Sequence, residues 1–194
     1  MHSWEALNPV TLRPVGPVTA AFSRFGMKDL RSAGQYIRCL PYGRNTYPED
    51  PLIVLTEERG TCSTKHALLR RLATEQGLDI ALVLGIYEMN EQNTPGVGHA
   101  LRKYGFSTLP EAHCYLRAFG KRVDVTRAID IGPATAMLHF LHEEDITPAQ
   151  ITHYKTALHQ QFLSWWMADH SELGGWTLAD VWAIREECIA GLSG

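Results

Sequence analysis

The chain has 194 residues, of which 45% are hydrophobic and 20% charged, and its formal net charge at pH 7 is −3. That composition suits a soluble globular domain with an appended element, long enough to bury its own core. The Lys and Arg residues form no basic stripe and no polybasic run, so we expect neither a nucleic-acid nor a membrane partner. The longest apolar stretch, from Ile80 to Tyr87, is too short to cross a bilayer.

The N-terminus, from Met1 to Glu5, lacks the basic and apolar segments of a signal peptide. Four widely spaced cysteines contain no CxxC pair: Cys39, Cys62, Cys114 and Cys188. These features predict a cytoplasmic protein whose thiols are reduced.

The first half of the chain is typical of three helices followed by a strand. Helices are predicted over residues 18–25, after Pro17, and over 28–40, before Pro41. A loop over 41–51 precedes a third helix over 62–76, which Gly77 closes. The apolar run over 78–87 has the length of a buried strand.

The second half is predicted to contain strands and then helices. A polar loop over 88–98 is followed by a stretch, 99–108, that has no clear pattern. Strands are predicted over 111–118 and 122–126, joined around Gly120 and Lys121. Three helices follow: 133–144, Thr147 to about Asp169, and Thr177 to near Gly191, the last two with capping threonines. This order predicts an α+β fold with segregated layers.

Cys62 lies at the start of the third predicted helix, directly after Gly60-Thr61. Unpaired N–H groups and the helix dipole at that position favour a thiolate, which is the nucleophilic form of cysteine. Gly60 would let a substrate approach the backbone, and the Cys62 amide could donate to a developing oxyanion. The alternative is that Cys62 is an inert, inward-packed residue of the first helical turn.

A cysteine nucleophile needs a base, and the base needs an orienting acceptor. His113 and Asp124 fit these roles because they lie on consecutive predicted strands and share one face. A four-residue loop over 117–120 would place Asp124 opposite His113, whereas a two-residue loop at Gly120-Lys121 would place it opposite Arg117; we expect the first. The alternatives are a half-buried histidine bonded to backbone and an aspartate paired with Arg117 or Arg122.

Together these segments resemble the transglutaminase-like superfamily of papain-like cysteine enzymes. That family places Cys at a helix start, His on a following strand and Asp on the next strand. Gly60-Thr61-Cys62 resembles its nucleophile helix, with Leu68, Leu69 and Gly77 as the later helix positions. The run from Glu111 to Leu116 resembles its histidine strand, and Val123 to Thr126 resembles its aspartate strand. The resemblance covers roughly residues 30–126.

The resemblance implies an α+β core over residues 1–132, with a nucleophile helix on an antiparallel sheet, and a helical C-terminal extension over 133–194 packed on it. It also implies acyl transfer through a thioester. Cys62 would attack, His113 would carry the proton and Asp124 would hold the imidazole. The substrate would be a protein, a peptide or a small amide, the acceptor water or an amine, and no cofactor is implied.

Several other arrangements compete with this one. His139, His142 and Glu143 could bind zinc from one helical turn. His66, one turn after Cys62, and His99 are alternative bases. No clear counterpart of the family's upstream oxyanion side chain is found, although Asn45 and Thr56 are weak candidates. The competing hypothesis from another functional class is a non-catalytic relative that serves as a binding or scaffold module.

Overall fold

The computed structural model describes residues 3–128, 139–170 and 173–192. They group into two compact units. The cysteine unit comprises Met1–Leu84, Cys114–Asp130 and Glu144–Thr152. The C-terminal unit comprises Gly85–His113, Ile131–Glu143 and His153–Gly194. The boundary predicted at residues 132 and 133 lies outside the described residues and stays a prediction.

A four-stranded antiparallel sheet confirms the α+β class. Its strands are β1 (Ile80–Met89), β2 (Leu109–Ala118), β3 (Lys121–Val123) and β4 (His142–Ile146), in the order β3-β2-β1-β4. Every residue of β2 except Arg117 is buried, which explains its nearly continuous apolar sequence.

The β2–β3 hairpin differs from both predicted registers. Ala118 pairs with Lys121 and Leu116 with Val123, so Phe119 and Gly120 form a two-residue turn. Both turn residues have positive φ, 52° and 73°, as a type I′ turn requires. The predicted loop over 117–120 is therefore wrong. Asp124 is the first residue after Val123, the last paired residue of β3.

The cysteine unit contains four α-helices. They are α1 (Pro17–Arg24), α2 (Leu30–Cys39), α3 (Ile53–Thr56) and α4 (Cys62–Glu75). The first, second and last of these confirm the predicted helices within about two residues at each end. Helix α4 is the central one, because every residue from Cys62 to Leu69 is buried.

Helix α4 also caps helix α1. Gly16, at the N-cap of α1, has no side chain to accept a hydrogen bond, and the carboxylate of Glu75 accepts instead from the amides of Val18 at 2.9 Å and Thr19 at 2.7 Å. Burial alone would raise the pKa of Glu75, but these hydrogen bonds hold it below its usual value. The C-terminal end of α4 is thus bound to the N-terminus of α1.

The C-terminal unit contains helices α5 (Gly98–Lys103), α6 (His153–Asp169) and α7 (Leu178–Ala190). Thr177 caps α7 in a reciprocal pair with Asp180, which confirms the predicted cap. Thr147 and Gln150 do bond to each other, but they close a separate turn, and α6 begins only at His153.

The helix predicted over 133–144 is wrong at its C-terminal end, where β4 begins at His142; residues 133–138 lie outside the described residues. The C-terminal segment therefore contributes a strand and is not purely helical. Among the described helices, none has the length and apolar character needed to cross a membrane.

Candidate functional site: the thiol and the buried lysine of helix α4

Cys62 is the first residue of α4, as predicted. Thr61 is the N-cap, and its side chain accepts from the Thr64 amide at 3.4 Å while the Thr64 hydroxyl accepts from the Thr61 amide at 3.0 Å. Cys62 is only 7% exposed, and its Sγ lies 3.9 Å from the Ser63 hydroxyl. The thiol therefore occupies the anion-favouring end of a well-capped helix.

The loop before α4 is held by backbone hydrogen bonds. The Gly60 amide donates to Pro41 O at 3.1 Å, and the Gly43 amide donates to Gly60 O at 3.3 Å. A side chain at Gly60 would lie 2.9 Å from both Lys65 Cγ and Thr64 Oγ1. Glycine is therefore needed here for the chain's own packing, whatever a substrate requires.

Neither proposed oxyanion side chain has the expected role. Asn45 donates from Nδ2 to Glu57 Oε2 and Arg59 O, each at 3.0 Å, and accepts from the Thr64 hydroxyl at 2.7 Å. Thr56 is exposed and donates back along α3 to Leu52 O at 3.3 Å. Asn45 braces the capping residues, and Thr56 bonds within its own helix.

Both ring nitrogens of His66 are used by the backbone. Its Nε2 accepts from the Val125 amide at 2.9 Å, so the ring proton is on Nδ1, which donates to Cys62 O at 2.7 Å. Asp124 Oδ1 also lies 3.6 Å from Nε2, but the Val125 amide occupies the lone pair there, so this is not an ion pair. The ring is a neutral brace between α4 and the segment after β3, which disfavours it as the base.

Lys65 was not among the candidate residues identified from the sequence. Its side chain is 0% exposed, and Nζ donates to Leu40 O at 2.6 Å and to Thr126 O at 2.8 Å. Burial lowers the pKa of Lys65 to about 8, although Asp124, Cys39 and Cys62 each act to raise it. Cys62 and Asp124 are thus both close enough to affect the charge on Lys65.

Asp124 follows β3 and turns the chain. Its Oδ1 accepts from the Thr126 amide at 2.7 Å, and its own amide donates to the Ser3 hydroxyl oxygen at 3.2 Å. Arg117 forms its ion pair with Asp145 instead, with Nη2–Oδ1 at 2.5 Å, and Arg122 lies over the Tyr115 ring with Cζ 5.8 Å from the centroid. Asp124 is therefore fixed by its own backbone, in the unit that holds Cys62.

His113 belongs to the C-terminal unit, on β2. It is 9% exposed, and its ring is nearly perpendicular to that of Tyr87, with the centroids 6.3 Å apart. Tyr87 in turn bonds Thr94 at 2.9 Å and contacts Phe140 edge-on at 6.1 Å. The grouping of His113 with Cys62 and Asp124 stays a prediction.

The other cysteines have different surroundings from Cys62. Cys39 ends α2 and is exposed, whereas Cys114 and Cys188 are fully buried. Burial raises the pKa of Cys188 to about 11, so this thiol is unreactive at neutral pH. Only Cys39 competes with Cys62 for reagents in solution.

The proposed zinc ligands do not share a helical turn. His142 and Glu143 are consecutive residues of β4, so their side chains alternate across the strand, and His142 packs on Phe162 with ring centroids 5.2 Å apart. In the described part of the chain, no three His, Cys, Asp or Glu side chains are placed to hold a metal ion. His99, the other alternative base, is exposed on α5.

No protein-family model, no curated protein and no solved structure matches this chain.

Proposed function

We propose that the protein is an acyl-transfer enzyme with Cys62 as its nucleophile, similar to the transglutaminase-like cysteine enzymes. The Cys62 thiolate attacks an amide or related acyl carbon, and a thioester forms as the C–N bond breaks. His113 gives the departing amine a proton, and Asp124 orients the imidazole. Water or a second amine then attacks the thioester, gives its proton to His113 and releases Cys62.

The observation that carries this proposal is the position of Cys62 as the first residue of a capped helix, with a buried lysine one turn later. A helix N-terminus and a nearby cation are the two features that stabilise a thiolate in a folded protein. Cys39, Cys114 and Cys188 are not at a helix start. We therefore expect Cys62 to differ from them in reactivity.

The histidine beside Cys62 in sequence supports His113 indirectly. His66 Nε2 accepts a hydrogen bond from the Val125 amide, and Nδ1 donates one to Cys62 O, so neither nitrogen is available to take a proton from a thiol. A base must come from elsewhere, and His113 on β2 is the sequence-based candidate. The substrate class is the one that the family resemblance implies: a protein, a peptide or a small amide.

A second candidate function is a binding or scaffold module of the same fold. It is favoured by Asn45, whose amide and carbonyl are both engaged in bracing the helix start. Without that side chain, an oxyanion would depend on backbone amides such as that of Cys62. The burial of Cys62, at 7% exposure, points the same way.

The test uses an activated ester, p-nitrophenyl acetate, on the Cys39→Ser protein, which lacks the exposed competing thiol. Intact-protein and peptide mass spectrometry should find the acetyl group on Cys62. Hydroxylamine, acting as the amine acceptor, should release this group and free Cys62 for another turnover. The His113→Ala protein should acylate more slowly, because the base is gone, while unfolding at the same denaturant concentration. The Cys62→Ser protein is the blank.

A binding module would behave differently. Its Cys62 would acylate at the rate of a small-molecule thiol of ordinary pKa, and His113→Ala would not change that rate. Either result, in a folded protein, would contradict the enzyme and favour the module.

A further inference from the structure

Lys65 is an unusual residue for the centre of a fold. Its ammonium is removed from water, and its hydrogen bonds go to two backbone carbonyls, Leu40 O and Thr126 O. Carbonyls compensate a positive charge only in part, so a buried lysine bound in this way costs free energy. A methionine of similar length would fill the space without that cost.

The carbonyls belong to segments that matter for the site. Leu40 is the C-cap of α2, directly after Cys39, and Thr126 is the residue whose amide donates to Asp124 Oδ1 at 2.7 Å. One ammonium thus ties the chain after α2 and the chain after β3 to the first turn of α4. Cys62 lies three positions before Lys65, which is a neighbouring position on a helix.

The charges that Lys65 experiences are those of Asp124, Cys39, Arg127 and Cys62. Asp124 and the two thiols favour its charged form, and Arg127 opposes it. Arg127 is also held over the Tyr42 ring, with Cζ 5.1 Å from the centroid. The same interactions act in reverse, because a cation that gains from an anion stabilises that anion equally.

We propose that Lys65 is a positioning residue for Cys62: its ammonium holds the Leu40 and Thr126 carbonyls at the start of α4, and its charge stabilises the Cys62 thiolate and the Asp124 carboxylate from inside the fold. The inference rests on the proposed function, since it explains how the attacking thiolate of Cys62 would be stabilised. Gly60 is part of the arrangement, because any larger residue there would displace the Lys65 stem.

The first experiment measures Lys65 itself, by NMR titration of 13C-labelled lysine in the Cys39→Ser background. The pKa of Lys65 should be well below that of an exposed lysine. Cys62→Ser should lower it further, because an ionisable thiol is lost, and Asp124→Asn should lower it most. The matched control is Arg71→Met, which removes a partly buried cation of α4 that interacts with Asp50. This change should leave the pKa of Lys65 unchanged.

The second experiment measures Cys62, by iodoacetamide alkylation from pH 5 to pH 9 in the same background. Lys65→Met should move the midpoint of the pH–rate profile upward by about one unit. The thiolate fraction at pH 7 then falls about tenfold, but a more basic thiolate is also more nucleophilic, so the alkylation rate at pH 7 should fall only roughly threefold. Lys65→Arg keeps the charge and should retain the parental midpoint. Arg71→Met should not move it.

A purely structural lysine would change stability but not the midpoint. Equal midpoints in the parental and Lys65→Met proteins would therefore overturn the inference, even if Cys62 forms the acetyl adduct. If Lys65→Met does not fold, the titration decides: a Lys65 pKa that ignores Cys62→Ser overturns the inference. A pKa that responds, in a protein that forms no acyl adduct, would keep the coupling and contradict only the enzyme.

Discussion

Each unit of the molecule buries a cation, and the two are treated in opposite ways. In the C-terminal unit, Arg185 on α7 grips Glu111 with both ends of its guanidinium, Nε–Oε2 at 2.7 Å and Nη2–Oε1 at 2.5 Å. In the cysteine unit, the hydrogen bonds of Lys65 within the described residues go to the neutral carbonyls of Leu40 and Thr126. The charge of Arg185 is neutralised by its pairing with Glu111, whereas the charge of Lys65 is bound by uncharged carbonyls and can stabilise nearby anions.

The pKa values express this contrast. Burial alone would raise the pKa of Glu111, but Arg185 and His159 hold it at about 2. Burial also opposes the charge on Arg185, yet the pairing leaves the pKa of Arg185 above its usual value. Burial lowers the pKa of Lys65 to about 8. A paired ion is permanent, whereas an unpaired one titrates near neutrality and can respond to chemistry.

The remaining contacts of the pair are structural. His159 donates from Nε2 to Pro110 O at 2.8 Å, and its ring lies 5.1 Å from that of Trp182. Arg185 stacks over the same indole, with Cζ 5.2 Å from the centroid. Together they fasten α6 and α7 to the first residues of β2 within the C-terminal unit.

Breaking the pair should have the largest effect of any change considered. Arg185→Met leaves Glu111, which is 5% exposed, as a buried charge without its arginine partner. We expect the free energy of unfolding to fall by about 3–5 kcal/mol at pH 7, measured by urea denaturation. The loss should shrink at low pH, where Glu111 becomes protonated in the variant.

The matched control is the double variant Glu111→Leu/Arg185→Met, which removes both charges. Its stability should recover most of the loss, because no buried charge is left alone. A double variant as unstable as Arg185→Met would show that the packing of the arginine, and not its charge, holds the helices.

Lys65 should show the reverse behaviour. A lysine whose pKa is about 8 when folded and 10.5 when unfolded is charged in both states below pH 8, where its burial destabilises the fold. Between pH 8 and 10.5 the unfolded chain binds the extra proton, so stability should rise with pH, by on the order of 3 kcal/mol. Lys65→Met should abolish this rise and be at least as stable as the parental protein at pH 7.

The measurement is the difference in unfolding free energy between the parental protein and Lys65→Met across pH 7–10. Arg71→Met, on the same helix, should track the parental curve. A difference that does not change with pH would mean that Lys65 keeps an ordinary pKa.

The sequence predicted the helices better than their surroundings. Of the two predicted capping threonines, Thr177 was confirmed, whereas Thr147 closes a separate turn before α6. Lys65 could not be predicted, because the first two turns of α4 are buried on every side, so the sequence pattern there does not separate buried from exposed positions. The hairpin failed for a similar reason: Phe119 has a positive φ, which a sequence gives no cause to expect of a phenylalanine.

Asp124→Asn is expected to have a smaller effect and tests the predicted triad. Asparagine can still accept the Thr126 amide, so the turn should survive. If the predicted triad forms, the loss of a negative neighbour should lower the pKa of His113 and slow alkylation of Cys62. NMR titration of His113 and alkylation kinetics check this, and unchanged values for both would remove Asp124 from the mechanism.

The smallest effects are expected at the two helix caps, which provide a matched pair across the comparison. Thr61 caps α4 and Thr177 caps α7, each through a reciprocal bond with the residue three positions on. Replacing either threonine with alanine should cost about 1 kcal/mol of unfolding free energy. The two losses should be similar, because each removes one acceptor from a helix N-terminus.

Only Thr61→Ala should change the chemistry. The first turn of α4 presents Cys62, so loosening it weakens the dipole and the amide donors that favour the thiolate, and the pH–rate midpoint for alkylation should move upward by a few tenths of a unit on the scale of one cap interaction. Thr177→Ala, equally destabilised, should leave that midpoint where it is. Equal shifts in both variants would show that the reactivity of Cys62 follows global stability and not the helix start.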